Sequence, residues 1–384
     1  MAEQLDLVIR GARVVDPARK IDAVRDIGFA GGTVASVADS ITAPARTVRD
    51  GTGHLVLPGL IDFHTHVYWG GTSLGVDAEE MAIRSGTTTF VDAGSAGAGN
   101  MAGFVKHVIE PAAPRILAFI NVSFPGIFAF SREVMVGENE NLRLLSAREA
   151  VRVGREFKDV IVGVKARVGF NAGGASGIAP LDIAIEIADE LGLPVMAHID
   201  FPPPSRDEVL GRLRPGDILT HCFRPFPNAP TDGRGMVRDT IRKAHERGVL
   251  FDIGHGYGGF AFDPGRRSME QGVMPDILSS DVHILSKDGP AYDILQVMNK
   301  FWAMGMDFTE VVRAVTQTPA TSLRRPELGT LAEGTPGDAT IVRIENGTFE
   351  YVDVLKETIT STKRLVCTGI VIGGALWDKG PRLP

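Results

Sequence analysis

Cysteine is nearly absent from this chain: Cys222 and Cys367 are the two among 384 residues. Two thiols cannot build a disulfide framework, and so sparse a use suits a reducing compartment. No apolar run approaches the roughly 20 residues of a membrane-crossing helix. The opening residues, MAEQLDLVIRGARVVDPARK, carry acidic groups where a secretory leader would place an apolar core. No run of lysine and arginine occurs, and the net charge is −7. That balance argues against nucleic acid or an anionic membrane as the main partner. The expectation is a cytoplasmic protein acting on a small molecule, with homo-oligomer formation left open.

What is present is ordinary globular composition, 44% hydrophobic and 23% charged. Residues 4–50 read as short strands and turns without helical periodicity. From about Leu57, β-type apolar runs alternate with amphipathic stretches. The runs are LIDFHTHV, TTTFVDAG, RILAFINVS, VIVGVKARV, PVMAHID, DILTHCF, VLFDIGHG and DILSSDVH, and each precedes a helical pattern. Eight such pairs predict an α/β protein built on a (β/α)8 barrel over residues 56–328. An open doubly wound sheet lacks support, because no Gly-x-Gly-x-x-Gly turn follows the first of these strands. Residues 329–384 return to β runs and are expected to pair with residues 1–55 as a small, discontinuous β-sandwich.

Barrel enzymes carry their chemistry at the C-terminal ends of the strands. Those ends hold His64 and His66 on strand one, Lys165 on strand four, His198 on strand five, His221 on strand six and Asp281 on strand eight. A period of two puts His64 and His66 on one face, with Asp62 able to hydrogen-bond a ligating imidazole. Two such imidazoles suit a divalent metal. Lys165 interrupts an apolar run, and burial would favour its neutral amine. A neutral amine adds carbon dioxide to give an anionic carbamate able to bridge two cations. Asp281, after Ser279 and Ser280, also suits a helix cap. His54, His107 and His245 read as structural, and Cys222 as packing against the helical layer. His255 and His283 lie near the rim, where either could pack its loop or meet substrate.

Taken together, PGLIDFHTH, Lys165 in VGVKARV, His198 in VMAHID, His221 in LTHCF and Asp281 in LSSDVH resemble the binuclear branch of the amidohydrolase superfamily. HTHVYWGGTSLG and SGTTTFVDAGSAGAGNMAGF resemble its amidohydrolase/deacetylase members, some labelled dihydroorotase-like. The resemblance implies two divalent ions, Zn²⁺ foremost. His64, His66 and Asp281 would hold one, His198 and His221 the other, with carboxylated Lys165 between them. Asp281 would take a proton from the attacking water and pass it to the leaving group. Dihydroorotases resemble His-x-His-x-Arg at strand one, whereas Tyr68 stands at that place here. Arg167, two residues beyond Lys165, could bind a carboxylate instead, or form a salt bridge at the rim. His255, Tyr257 and the glycines around them could shape the substrate pocket. The leading expectation is deacylation of a small N-acyl or O-acyl carboxylic acid. A cyclic amidase of dihydroorotase or hydantoinase type is the alternative. A mononuclear deaminase has no need of Lys165, and a non-catalytic scaffold would not keep all six ligands.

Overall fold

In a computed structural model that describes residues 4–377, seven strands pair in parallel and in chain order. They are Leu60–Thr65, Thr87–Gly97, Arg115–Asn121, Ile161–Val168, Val195–Ile199, Ile218–Leu219 and Leu250–Phe251. The eighth expected strand is not a regular one. Its residues close the ring through isolated parallel bridges, Asp252 to Ile277 on one side and Thr65 to Val282 on the other. The left-handed backbone at Asp281, with φ of 47°, breaks the extended run there.

Period-two alternation explains the two layers of the core. Val164, Ala166 and Val168 face the helices, while Phe63, Phe119, Met196 and Ile277 fill the barrel interior with Leu117 and Ile218. Leu323 and Leu328 plug the N-terminal end of that interior. The helices form where amphipathic runs begin at a side-chain cap, as at Asp77 before Ala78–Ser85 and Ser146 before Ala147–Glu156. Ser205 and Glu208 make a full capping box on Arg206–Arg212. The helix Phe262–Glu270 tolerates Pro264 because it falls in the first turn, whose N–H groups have no helical partner anyway.

Both ends of the chain build the flanking β unit. Leu55–Pro58 joins its halves, pairing parallel with Leu5–Asp16 and antiparallel with Ala339–Val352. The result is one hydrogen-bonded path from Ala375–Leu376 to Thr33–Ala38. Leu55–Pro58 leads directly into the first barrel strand, so this sheet anchors the strand that carries His64 and ends just before His66. Among the described residues, no helix is long and apolar enough to cross a membrane.

Candidate active site

His64, His66, Lys165, His198, His221 and Asp281 line one cavity at the C-terminal end of the barrel. The cavity has a volume of about 40 Å³ and opens partly to solvent. Lys165 and His198 arrive there as alternation requires, on strands paired in register from Val164–Val195 to Val168–Ile199. His221 and Asp281 arrive differently. Both have left-handed backbones, with φ of 57° and 47°, which turn their side chains inward, one past the short strand Ile218–Leu219 and one within the irregular eighth segment. Such strain in non-glycine residues concentrates at functional sites.

Asp281 Oδ1 lies 3.2 Å from His66 Nε2 and 3.4 Å from His64 Nε2. Ligands about 2.0–2.1 Å from a tetrahedral Zn²⁺ are separated by about 3.4 Å, so these three side chains suit one ion. One donor atom from each lies within 4.8 Å of the others. The His198 and His221 rings stand 4.6 Å apart, with His221 also 5.2 Å from His64. Burial holds all four imidazoles below their ordinary pKa, His66 at about 3, so each is in the neutral form that ligates. The donor set therefore fits divalent metal binding.

What stands behind each ring selects the nitrogen that faces the cavity. His64 Nδ1 donates to Thr220 Oγ1 at 2.8 Å, and Thr220 donates to Asp252 at 2.6 Å. His66 Nδ1 donates to Ser95 Oγ at 2.9 Å, whose backbone N–H is held by Asp92. His221 Nδ1 donates to the Gly254 carbonyl at 2.6 Å. These three rings are left with Nε2 as the free lone pair. His198 differs: its Nε2 faces Asp200 at 3.6 Å, too far for a hydrogen bond.

Lys165 is fully buried. Its Nζ lies 3.3 Å from His64 Nε2 and 3.2 Å from Met196 Sδ. Burial, outweighing the attraction of Asp281, pulls its pKa down to about 7. Burial likewise raises Asp281 to about 6, which suits a group that takes and returns a proton near neutrality.

The amidohydrolase family model matches residues 55–205. A deacetylase of Brucella anthropi is 34% identical over 84% of this chain and 80% of its own. The chain belongs to the amidohydrolase family. Two solved structures share its fold along nearly the whole length. One, described as an adenine deaminase, has a TM-score of 0.91 and 30% identity, covering 98% of this chain and all of its own. The other, described as a dihydroorotase, has a TM-score of 0.89 and 31% identity, covering 97% and 98%. Three relatives of similar identity carry three different activities in their names. Membership makes this protein a metal-dependent hydrolase, and the particular bond has to be argued from its cavity.

Of the five residues expected to meet substrate, the amidohydrolase cavity takes in two, Arg167 and His283. Arg167 pairs with the buried Glu138 at 3.0 Å and sits 5.4 Å from the centre of the Phe130 ring. His283 accepts the Leu285 N–H at Nδ1, so its neutral ring carries the proton on Nε2. The other three lie elsewhere. Tyr68 stacks on Phe104 at 4.4 Å within the helix-facing core, because the strand ends at Thr65 and alternation no longer applies. His255 is buried against Lys300 rather than open to the cavity. Tyr257 points to solvent, 59% exposed. Asp62 also departs from expectation. A register irregularity between Asp62 and Thr65 sends its carboxylate to Ser280, not to an imidazole.

Sequence reasoning missed Asp252, Asp92 and Glu138. Asp252 had a visible signal, a carboxylate inside the apolar run VLFDIG. Its pKa is raised to about 6 by burial, against the hydrogen bonds from Ser279 and Thr220. Glu138 lies in the long segment after the third barrel strand, where no periodicity marks it.

Proposed function

We propose that this amidohydrolase uses two metal ions to remove an acyl group from a small acylated carboxylic acid. The observation that carries the reading is Arg167, which lines the same cavity as the six ligand-type side chains. In this reading His64, His66 and Asp281 hold one divalent ion and His198 with His221 the second, zinc in each case. Lys165 joins them as a carbamate: its neutral amine adds carbon dioxide and loses one proton, giving an anion with two ligating oxygens. When bound, the ions supply Lewis acidity for the acyl carbonyl and for water.

The protein's own groups do the rest. Arg167 orients the substrate carboxylate, and the Nε2–H of His283 donates to a substrate oxygen. Asp281 takes the proton of the attacking water and delivers it to the departing nitrogen or oxygen. The name of the Brucella relative supports deacylation. A cyclic amide bearing a carboxylate would also satisfy Arg167, and Tyr68 no longer argues against it, since that phenol lies outside the cavity.

The test has two parts. Elemental analysis after exposure to zinc and bicarbonate should give about two ions per chain, and a reproducible value of one or fewer removes the two-metal reading. The loaded enzyme is then assayed on acylated amino acids, acylated hydroxy acids, dihydroorotate, hydantoins and adenine. An acylated acid should give the highest kcat/KM. If dihydroorotate or adenine leads by a wide margin, the deacylase reading fails.

A further inference from the structure

A buried lysine that no part of the proposed reaction uses stands behind the metal ligands. Lys300 lies on the helix Ile294–Ala303 and is 1% exposed. Helical side chains lean toward the N-terminus of their helix, and Lys300 Nζ reaches back to donate to the Pro290 carbonyl at 2.6 Å. It also lies 2.7 Å from His255 Nε2. His255 Nδ1 donates to the Gly256 carbonyl at 3.1 Å, so Nε2 carries the lone pair and Lys300 is the donor.

His255 is enclosed between two glycines that touch the site. The Gly254 carbonyl accepts His221 Nδ1, and a Cβ on Gly254 would come within 2.9 Å of both His221 Nδ1 and His64 Nδ1. A Cβ on Gly256 would collide with Asp281 Oδ2. The turn is thus the surface against which three ligand side chains rest. A methionine would fill the place of Lys300 with no polar group to satisfy, whereas an ammonium there needs its partners.

We infer that Lys300 is a positioning residue for the metal centre, acting through His255 to fix the Gly254–Gly256 turn against His221, His64 and Asp281. This rests on the metal reading given above.

Zinc affinity is measured by chelator competition on wild type, Lys300→Met, His255→Leu and the double variant, with thermal melts alongside. Lys300→Met should weaken zinc retention by about tenfold or more, the scale of an outer partner of a metal ligand. Lys300→Gln, which keeps an N–H donor, should recover part of the loss. Because both residues act along one line, the double variant should lose no more than the worse single variant. Equal zinc affinity in wild type and a folded Lys300→Met overturns the inference, and additive losses overturn the route through His255. Failure of the wild type itself to hold zinc refutes the metal reading instead. Should Lys300→Met not fold, Lys300→Leu and His255→Leu are judged by the same criteria.

Discussion

Asp62 holds Ser280 with both carboxylate oxygens, accepting its backbone N–H at 2.9 Å and its hydroxyl at 2.5 Å. Ser280 precedes Asp281, whose own N–H donates to the His64 carbonyl at 2.7 Å. The first strand and the closing segment of the barrel are therefore tied on both sides of the proposed metal site. Asp62→Ala leaves two buried donors without partners, at a cost of about 1–3 kcal/mol each. The expected result is a lower melting temperature together with reduced metal content. Asp62→Asn keeps an acceptor for the N–H and should lie closer to wild type. Equal metal content in wild type and Asp62→Ala would separate this clamp from the site.

Lys165 has no carboxylate in hydrogen-bonding contact, only His64 and Met196. A bare amine so placed gives no anionic bridge, and a carbamate does. Lys165→Ala should lose metal and turnover, and acetate or propionate should restore part of both by supplying the missing carboxylate. Full activity without added acid would reject the bridging role.

Gly256 has φ of +51°, a region that L side chains rarely adopt, and faces Asp281. Gly256→Ala would push Asp281 aside, and displacement by about 1 Å commonly costs on the order of 100-fold in rate. Among the described residues, nothing lies within 4 Å of the place a Cβ would take on Gly258, two residues on. Gly258→Ala should stay within about twofold of wild type. Similar losses in both variants would point to general disturbance of the loop rather than to contact with Asp281.

Sequence pattern reached the cavity residues by two different routes. Lys165, Arg167 and His198 follow from periodicity, because Ile161–Val168 and Val195–Ile199 are regular strands in register. His221 and Asp281 do not, since each sits on a left-handed backbone, and they were legible only as ligand-type residues at the ends of apolar runs. Tyr68 was singled out by its place in a dihydroorotase-like pattern, and it lies outside the cavity because the strand stops at Thr65. Lys300 gives no local signal, because its partner His255 is 45 residues away in the chain. The eight-fold order was readable from the apolar runs. The irregular eighth segment was not, because its extended pattern is interrupted by hydrogen bonds to Asp62 that only the fold creates.

His245 was read as structural, and it bonds Asp276 at 3.1 Å while stacking on Phe251 at 4.8 Å. The hydrogen bond to Asp276 raises its pKa above the ordinary value. A histidine raised on folding stabilises fully below its unfolded pKa of about 6.5. That contribution fades as pH rises through the folded value. His245→Gln should therefore cost more stability at pH 5.5 than at pH 9, by less than about 1 kcal/mol for so partly exposed a pair. Denaturation midpoints of both proteins at the two pH values check this, and a larger cost at pH 9 would reverse the assignment.

Arg167 is the most direct handle on substrate, but its removal has two effects that must be separated. It orients any carboxylate in the cavity by the proposal above, and it also neutralises Glu138, which is fully buried. Breaking a buried ion pair by deleting one partner commonly costs about 3–5 kcal/mol. Arg167→Met alone is thus expected to be unstable. In Arg167→Met with Glu138→Gln the uncompensated charge is gone, and folding should largely recover. Charge recognition should not. A charge-assisted hydrogen bond contributes about 1.5–3 kcal/mol, or roughly 10–150-fold in kcat/KM. The wild type should prefer an acylated acid over its neutral carboxamide analogue by at least tenfold. In the double variant that preference should fall toward unity, with the change mainly in KM. Glu138→Gln alone supplies the control, since it keeps Arg167 and should keep the preference. A double variant that folds and still selects the charged substrate would show that another group reads the carboxylate, and His283 would then be the first to replace.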